Sequence, residues 1–241
     1  MPRGEATALI LAKNNFDLIL TGRRKERLLE LENRIQTNFN IDTLILQFDI
    51  RDRTETKKQI ESLTGKWNDI NILVNNAGLA SGLDFIQSGD IDDWEKMIDT
   101  NVKGLLYISR AVMPGMVNRK TGHIVNIGSI AGKETYLKGN VYCATKHAVD
   151  SISKAMRIDM LPFGIKVSSV SPGMVDTEFS LVRLGDKEAA NNVYRGLTPL
   201  YAKDIAEAVE FAVTRPDHVN INDILIMPTA QANSSHTLRE E

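Results

Sequence analysis

The chain has 241 residues, 42% apolar and 25% charged, with a formal net charge of −2. That is a globular mixture, long enough to bury a large core in one domain (1–241) and too apolar and too near neutrality for a disordered chain. The balance excludes the basic excess of a nucleic-acid binder, and no run approaches the roughly 20 apolar residues of a membrane helix.

Strand-like and helix-like segments alternate along the chain. A helix is predicted over 5–13, a strand over 17–21, and a charged helix over 24–37 with Leu28, Leu31 and Ile35 inward. A strand over 44–48, a helix over 54–63 and a strand over 70–74 follow. A long helix is predicted over 92–117, with Ile98, Val102, Leu105, Leu106, Ser109, Val112 and Met113 on its apolar side. Then come a strand over 123–127, a helix over 142–161 ended near Pro162 and Gly164, and a strand over 165–170 stopped by Ser171-Pro172-Gly173. A helix over 204–213 and a short strand over 223–227 close the pattern.

Apolar strands separated by amphipathic helices mean right-handed βαβ units. The expected fold is α/β, a doubly wound parallel sheet, and ligands in that architecture sit beyond the carboxyl ends of the strands. The start, Met1-Pro2-Arg3-Gly4-Glu5, carries no signal-peptide pattern. The single Cys143 makes no internal disulfide, which points to a reducing, cytoplasmic setting. One cysteine and four scattered histidines offer no metal site.

Ser129 follows a strand, and Tyr142 and Lys146 lie four residues apart at the start of a helix, on one face. A phenol with pKa about 10 is a poor acid or base at neutral pH. A cation one turn away lowers that pKa, and a nearby hydroxyl can hold a carbonyl or alcohol oxygen. The three make a proton relay for carbonyl–alcohol interconversion; a surface Tyr and Lys sharing a helix is the ordinary alternative. Cations at Arg23 and Arg24 begin a helix, where the dipole is already positive, so an anion is invited there. Arginine forks suit a phosphate.

Asn75-Asn76-Ala77-Gly78 after a strand, Asn101, Ser129, Tyr142-Cys143-Ala144-Thr145-Lys146 and Ser171-Pro172-Gly173 occur in order and spacing. Together they resemble the short-chain dehydrogenase/reductase family over essentially the whole chain. Thr177 to Arg183 and His218 to Asn222 are similar to its subgroup of NADP-dependent serine and 3-hydroxy acid dehydrogenases. The resemblance implies an oxidoreductase acting on a small hydroxy acid. Tyr142 would be the acid/base, Ser129 the holder of the substrate oxygen and Lys146 the group that lowers the tyrosine pKa and binds the nicotinamide ribose. Asn101 would extend the relay, although an amide satisfying a local backbone group is the plainer role.

The resemblance also implies a cofactor site of Gly4, Arg23, Arg24, Asp49, Ile50, Asn75, Ala77, Gly78, Tyr142, Lys146, Pro172, Gly173, Val175 and Thr177. The 2′-phosphate of NADP would meet the arginines. A substrate lid would run irregularly over 174–192, with Arg183 reading a carboxylate, although a lone surface arginine is commonplace. A homotetramer is implied too. The family opens with a strand and a T-G-x-x-x-G-x-G turn, but only Met1-Pro2-Arg3 precede Gly4 here. The expectation is a chain with the first strand absent, its first helix poorly anchored and its activity impaired. A truncated relative with only a binding or assembly role, or a plain structural protein on this fold, are the competing readings.

Overall fold

A computed structural model describes residues 1–240. Helix α1 (Arg3–Lys13) leads to strand β1 (Leu18–Gly22), α2 (Lys25–Asn38), β2 (Thr43–Gln47), α3 (Arg53–Glu61) and β3 (Ile72–Asn75). Helix α4 (Ile91–Ile98) runs through a π-helical turn (Asp99–Gly104) into α5 (Leu105–Arg119), and β4 (His123–Ile127) and α6 (Asn140–Met160) follow. The remainder is β5 (Lys166–Pro172), β6 (Val175–Asp176), α7 (Glu178–Leu184), α8 (Lys187–Asn192), β7 (Leu200–Tyr201), α9 (Ala202–Val213) and β8 (Asp223–Ile226).

All ladders are parallel. One joins β1 to β2, with Leu18 opposite Thr43; another has the order β3-β4-β5-β8, with Ile72 opposite His123 and Ile124 opposite Val167. A two-residue ladder pairs β6 with β7. Strand β4 is buried along its length, as expected of a parallel strand covered on both faces. One core packs α1, α2 and α9 on the strands through Leu11, Ala12, Leu28, Leu31, Ile35, Ile205 and Val209. The opposite core uses α5 and α6 through Ile108, Val112, Met116, Val149 and Met156. Between the facing edges of β1 and β3 lies a cavity of about 890 Å³ lined by Ile19, Thr21, Ile72 and Val74 among others.

Two sequence expectations are corrected. The first helix is not left without anchorage. It begins at Arg3, places Ala8, Leu11 and Ala12 in the core, and packs along α9, where Ala6 meets Ala202 and Ala206. The helix expected over 92–117 is two helices joined by a π turn. Ile98 and Leu106, expected on its apolar side, are each 40% exposed. An inserted turn shifts the phase of the apolar stripe, so residues beyond it no longer share the face of those before it.

Candidate active site

The chemistry-bearing residues collect at the carboxyl ends of β3, β4 and β5. Ser129 leaves β4 in extended backbone and caps the single 3-10 turn Ile130–Gly132, its Oγ accepting the Ala131 N–H at 3.1 Å. That turn lies hard against α6: a Cβ on Gly132 would stand 2.5 Å from the Lys146 carbonyl oxygen. The close approach brings the Ser129 hydroxyl near the Tyr142 phenol, where it favours the phenolate. Tyr142 is 6% exposed and Lys146 3%. Sequence spacing and structure agree that they share one face of α6.

The electrostatics differ from the expectation. Burial raises the Tyr142 pKa, opposed in turn by the Arg3 cation, the Ser129 hydroxyl and the Arg183 cation. Lys146 is not among the groups lowering it. Its Nζ donates to the Ile127 carbonyl at 2.9 Å, and burial, with Arg3 nearby, pulls its pKa down to about 7. Asn101 sits in the π turn with its amide fully engaged. Oδ1 accepts the Leu79 N–H at 2.8 Å, and Nδ2 donates to the Leu79 carbonyl (2.8 Å) and Thr145 Oγ1 (3.0 Å). The bare Cα of Gly78 faces the space between Asn101 and Lys146, since a Cβ there would be 3.4 Å from both Oδ1 and Nζ.

The sequence missed three residues around Tyr142. The Arg3 guanidinium lies 5.7 Å from the Phe179 ring centre, and Phe179 packs on Tyr142 with ring centres 5.7 Å apart. Arg183 stacks over Tyr142 at 5.4 Å, and its Nη1 donates to Tyr136 Oη at 2.8 Å. Burial pushes the Tyr136 pKa up to about 12. Arg183 also donates through Nε to the Gly82 carbonyl at 3.1 Å, so it is no lone surface arginine. Arg3 carried no signal because it stands outside any periodic pattern. Phe179 and Tyr136 read as ordinary apolar positions.

At the carboxyl ends of β1 and β2 the side chains are open. Arg23 and Arg24 have side chains 62% and 61% exposed, loosely paired with Asp49 (3.8 Å) and Glu178 (3.7 Å). Asp49 is held below the usual carboxylate range mainly by its hydrogen bonds from Arg51, the nearest at 2.6 Å. Asn75 is turned inward. Its Nδ2 donates to Ser109 Oγ and Asn126 Oδ1, and Asn126 passes on to Ser153 Oγ, a buried polar chain between β3, β4 and α6. The Oδ1 atoms of Asn75 and Asn76 are buried without a partner, and Gly4 approaches Asn76 so closely that a Cβ would stand 2.8 Å from Nδ2. Ile50 lies under the site, where a Cβ on Gly104 would meet it at 2.9 Å. Pro172 ends β5, Val175 is buried, and Thr177 caps α7 through Oγ1.

These features fit a dinucleotide. Free N–H groups begin α1 beside unpartnered amide oxygens, exposed guanidinium forks end β1, and a buried Tyr–Ser–Lys group stands at the far end. The same space holds Arg3, whose guanidinium must move aside for, or pair with, a group bound against Tyr142 and Lys146.

Fold and site together define an α/β oxidoreductase of the dinucleotide-binding kind. Residues 4–186 match the family model described as short chain dehydrogenase, and the chain belongs to that family. It is 46% identical over 231 residues to the NADP-dependent 3-hydroxy acid dehydrogenase YdfG of Salmonella typhi, covering 95% of this chain and 92% of that protein. It is 42% identical to sulfoacetaldehyde reductase 2 of Chromohalobacter salexigens, over 96% and 92% of the two chains. Among solved structures, the closed form of serine dehydrogenase complexed with NADP+ superposes with a TM-score of 0.93 at 42% identity, covering 100% of this chain and 96% of that one. The damaged fold expected from the short N-terminus is thereby corrected, since that match covers the whole of this chain.

Proposed function

We propose that the protein is an NADP-dependent oxidoreductase that interconverts the alcohol and carbonyl of a small anionic hydroxy acid, of the serine or 3-hydroxy acid kind. The observation that carries the substrate class is the cluster of cations around the acid/base. Arg3 and Arg183 both act on Tyr142, and no carboxylate is among the charges acting on its phenol. A pocket of one sign favours a substrate of the other. The named substrates of the relatives are anions as well.

In this reading NADP, when bound, takes up or gives the hydride. Arg23 and Arg24 hold its 2′-phosphate by forked, charge-assisted bonds. Ser129 donates to the substrate oxygen, and Tyr142 takes the alcohol proton in oxidation and returns it in reduction. Arg3 and Arg183 favour the phenolate against burial, and Lys146 is the group that would hold the nicotinamide ribose. Asn101 holds the Leu79 backbone and so shapes the floor beside Lys146. Segment 174–192, which the sequence reads as irregular, folds as β6, α7 and α8; we take it as the lid, with Arg183 pairing to the substrate carboxylate. The exposed Ile98, Leu106, Ile158 and Leu161 on α4–α6 and the adjoining turns support a homo-oligomer, a tetramer by the family pattern. Among the described residues no helix is long and apolar enough to cross a membrane.

Binding of NADPH and NADH, followed by initial rates with serine, a 3-hydroxy acid, a sulfonate analogue and a neutral alcohol of similar size, tests the proposal. Tighter NADPH binding and turnover confined to the anions is the expected result. Equal rates on the neutral alcohol overturn the substrate class, and preference for NADH overturns the cofactor. A sulfonate turned over faster than the carboxylates moves the substrate to that acid.

A further inference from the structure

Residues 230–240 fold back on themselves and bind both ends of the segment that covers Tyr142. Gln231 is 6% exposed, and both halves of its amide are used. Oε1 accepts the Met174 N–H at 2.8 Å, at the start of the segment, and Nε2 donates to the Asn233 carbonyl at 3.1 Å. A hairpin then returns through Ala232 N–H to His236 O (3.0 Å) and Leu238 N–H to Ala230 O (2.8 Å). Its tip is tied by the Ser234 N–H to Glu134 Oε2 at 2.9 Å, in the loop just beyond Ser129.

The returning arm grips the other end of the segment. Arg239 donates to the carbonyls of Arg195 (2.5 Å) and Val193 (3.0 Å), and the Glu240 N–H donates to Gly196 O at 2.7 Å. Two glycines make room for these contacts. Gly173 lies directly against the Gln231 amide, where a Cβ would collide with Oε1. Gly196, at φ +73°, leaves only 2.5 Å between a would-be Cβ and Glu240 O. Between the gripped ends, α7 presents Phe179 and Arg183 to Tyr142.

We propose that the hairpin of residues 230–240 is a latch that holds segment 174–196 closed over Tyr142, with Gln231 as the positioning residue for substrate capture. This rests on reading 174–192 as the substrate lid, with 193–196 the stretch by which its far end is held. Gln231 touches no reacting atom. It fixes the backbone from which Phe179 and Arg183 extend, and Arg239 fixes the far end, so releasing either raises the population of open forms.

The test compares Gln231→Ala, Arg239→Ala and Gln231→Glu, which keeps an acceptor for the Met174 N–H, with the parent protein. Tryptic cleavage after Arg183, Lys187 and Arg195 is timed on the folded proteins without substrate. KM and kcat for a 3-hydroxy acid are measured beside it. Each alanine variant should speed cleavage in the segment and raise KM by roughly tenfold, the effect of one or two lost hydrogen bonds. Thermal midpoint and kcat should stay near parental values, and Gln231→Glu, which keeps the acceptor but loses the Nε2 donor to Asn233, should recover part of both losses. Unchanged cleavage in both alanine variants overturns the latch, as does a fall in kcat at constant KM. If the parent shows no turnover on any hydroxy acid, the functional reading fails while the cleavage rates still decide the latch.

Discussion

The four-stranded ladder ends in side chains that are buried and committed, whereas the two-stranded ladder ends in charges that are exposed and loosely held. Beyond β3, β4 and β5, Asn75, Asn101, Asn126, Ser129, Tyr142 and Lys146 are all 8% exposed or less, and most polar groups there have an assigned partner. Beyond β1, Arg23 and Arg24 reach ion pairs only at 3.8 and 3.7 Å. The difference suits the two roles proposed for these residues. Proton transfer needs groups held in one geometry before the substrate arrives, while a phosphate reader needs forks free to turn toward it. One end of the sheet is preorganised and the other adaptable.

The sharpest way to break this contrast is on the rigid side. Tyr142→Phe removes one hydroxyl from a packed site, so kcat should fall about 10²–10⁴-fold with the melting temperature unchanged. Steady-state rates near the parent's would show that the buried cluster is structural. His123, at the start of β4, probes the same rigidity through pH. Burial, then the nearby Lys166 charge, lowers its pKa from 6.5 to about 4, and only Nε2 has a partner, Ser168 Oγ at 2.8 Å. Because the folded pKa lies below the unfolded one, the unfolded chain takes up a proton that the folded chain refuses between about pH 6.5 and 4. Stability is therefore full above 6.5 and declines through that window by about 3 kcal/mol. Urea unfolding of His123→Gln should show a flatter pH profile from 4 to 6.5, and parallel profiles would remove His123 from the account.

On the adaptable side the effects are smaller. Exposed ion pairs of this length contribute about 1 kcal/mol or less, so Arg23 and Arg24 lose little by turning to a phosphate. Two charge-assisted contacts then make the Arg23→Ala, Arg24→Ala double variant bind NADPH about a hundredfold more weakly, with NADH little changed. Equal weakening by titration would mean that the forks read no phosphate. The smallest effect is expected at the join between the regions. Arg183→Lys keeps the charge but loses the fork that spans Gly82 and Tyr136, so KM for a hydroxy acid should rise roughly tenfold and that for a neutral alcohol less. Identical changes for both substrates would leave Arg183 with a packing role alone.

The strands and most helices were legible because parallel βαβ units write their burial directly into runs of Ile, Val and Leu, as in 123–127, which the structure reproduces residue for residue. The Tyr142–Lys146 face was legible from helical spacing. The break at Asp99–Gly104 was not, because a π turn adds a residue without any Gly or Pro signature before it. Helices α7 and α8 were missed because each is two turns or fewer, too short for a period to show. The inward turn of Asn75, the cations Arg3 and Arg183 at Tyr142, and the Gln231 contact are long-range in sequence. Local pattern holds no record of which distant group a polar side chain will meet.

The separation of the two ladders has a consequence for how the molecule breathes. Leu18 N–H goes to Asp42 O and Gly22 O accepts from Phe48, so alternate β1 residues face β2, and Ile19 and Thr21 face the cavity. Likewise Asn71 O accepts from His123, which leaves Ile72 and Val74 facing the cavity from β3. In a continuous parallel sheet the amides of an inner strand point alternately to its two neighbours, so each one is paired. Here the amide hydrogens of Ile19, Thr21, Ile72 and Val74 look across an open space, and they should exchange with solvent well before those of Leu20 and Leu73 one residue away. A two-residue alternation of exchange rates along β1 and β3, fading to uniform protection in β4, would be the solution signature of a sheet held together across that gap by its helices.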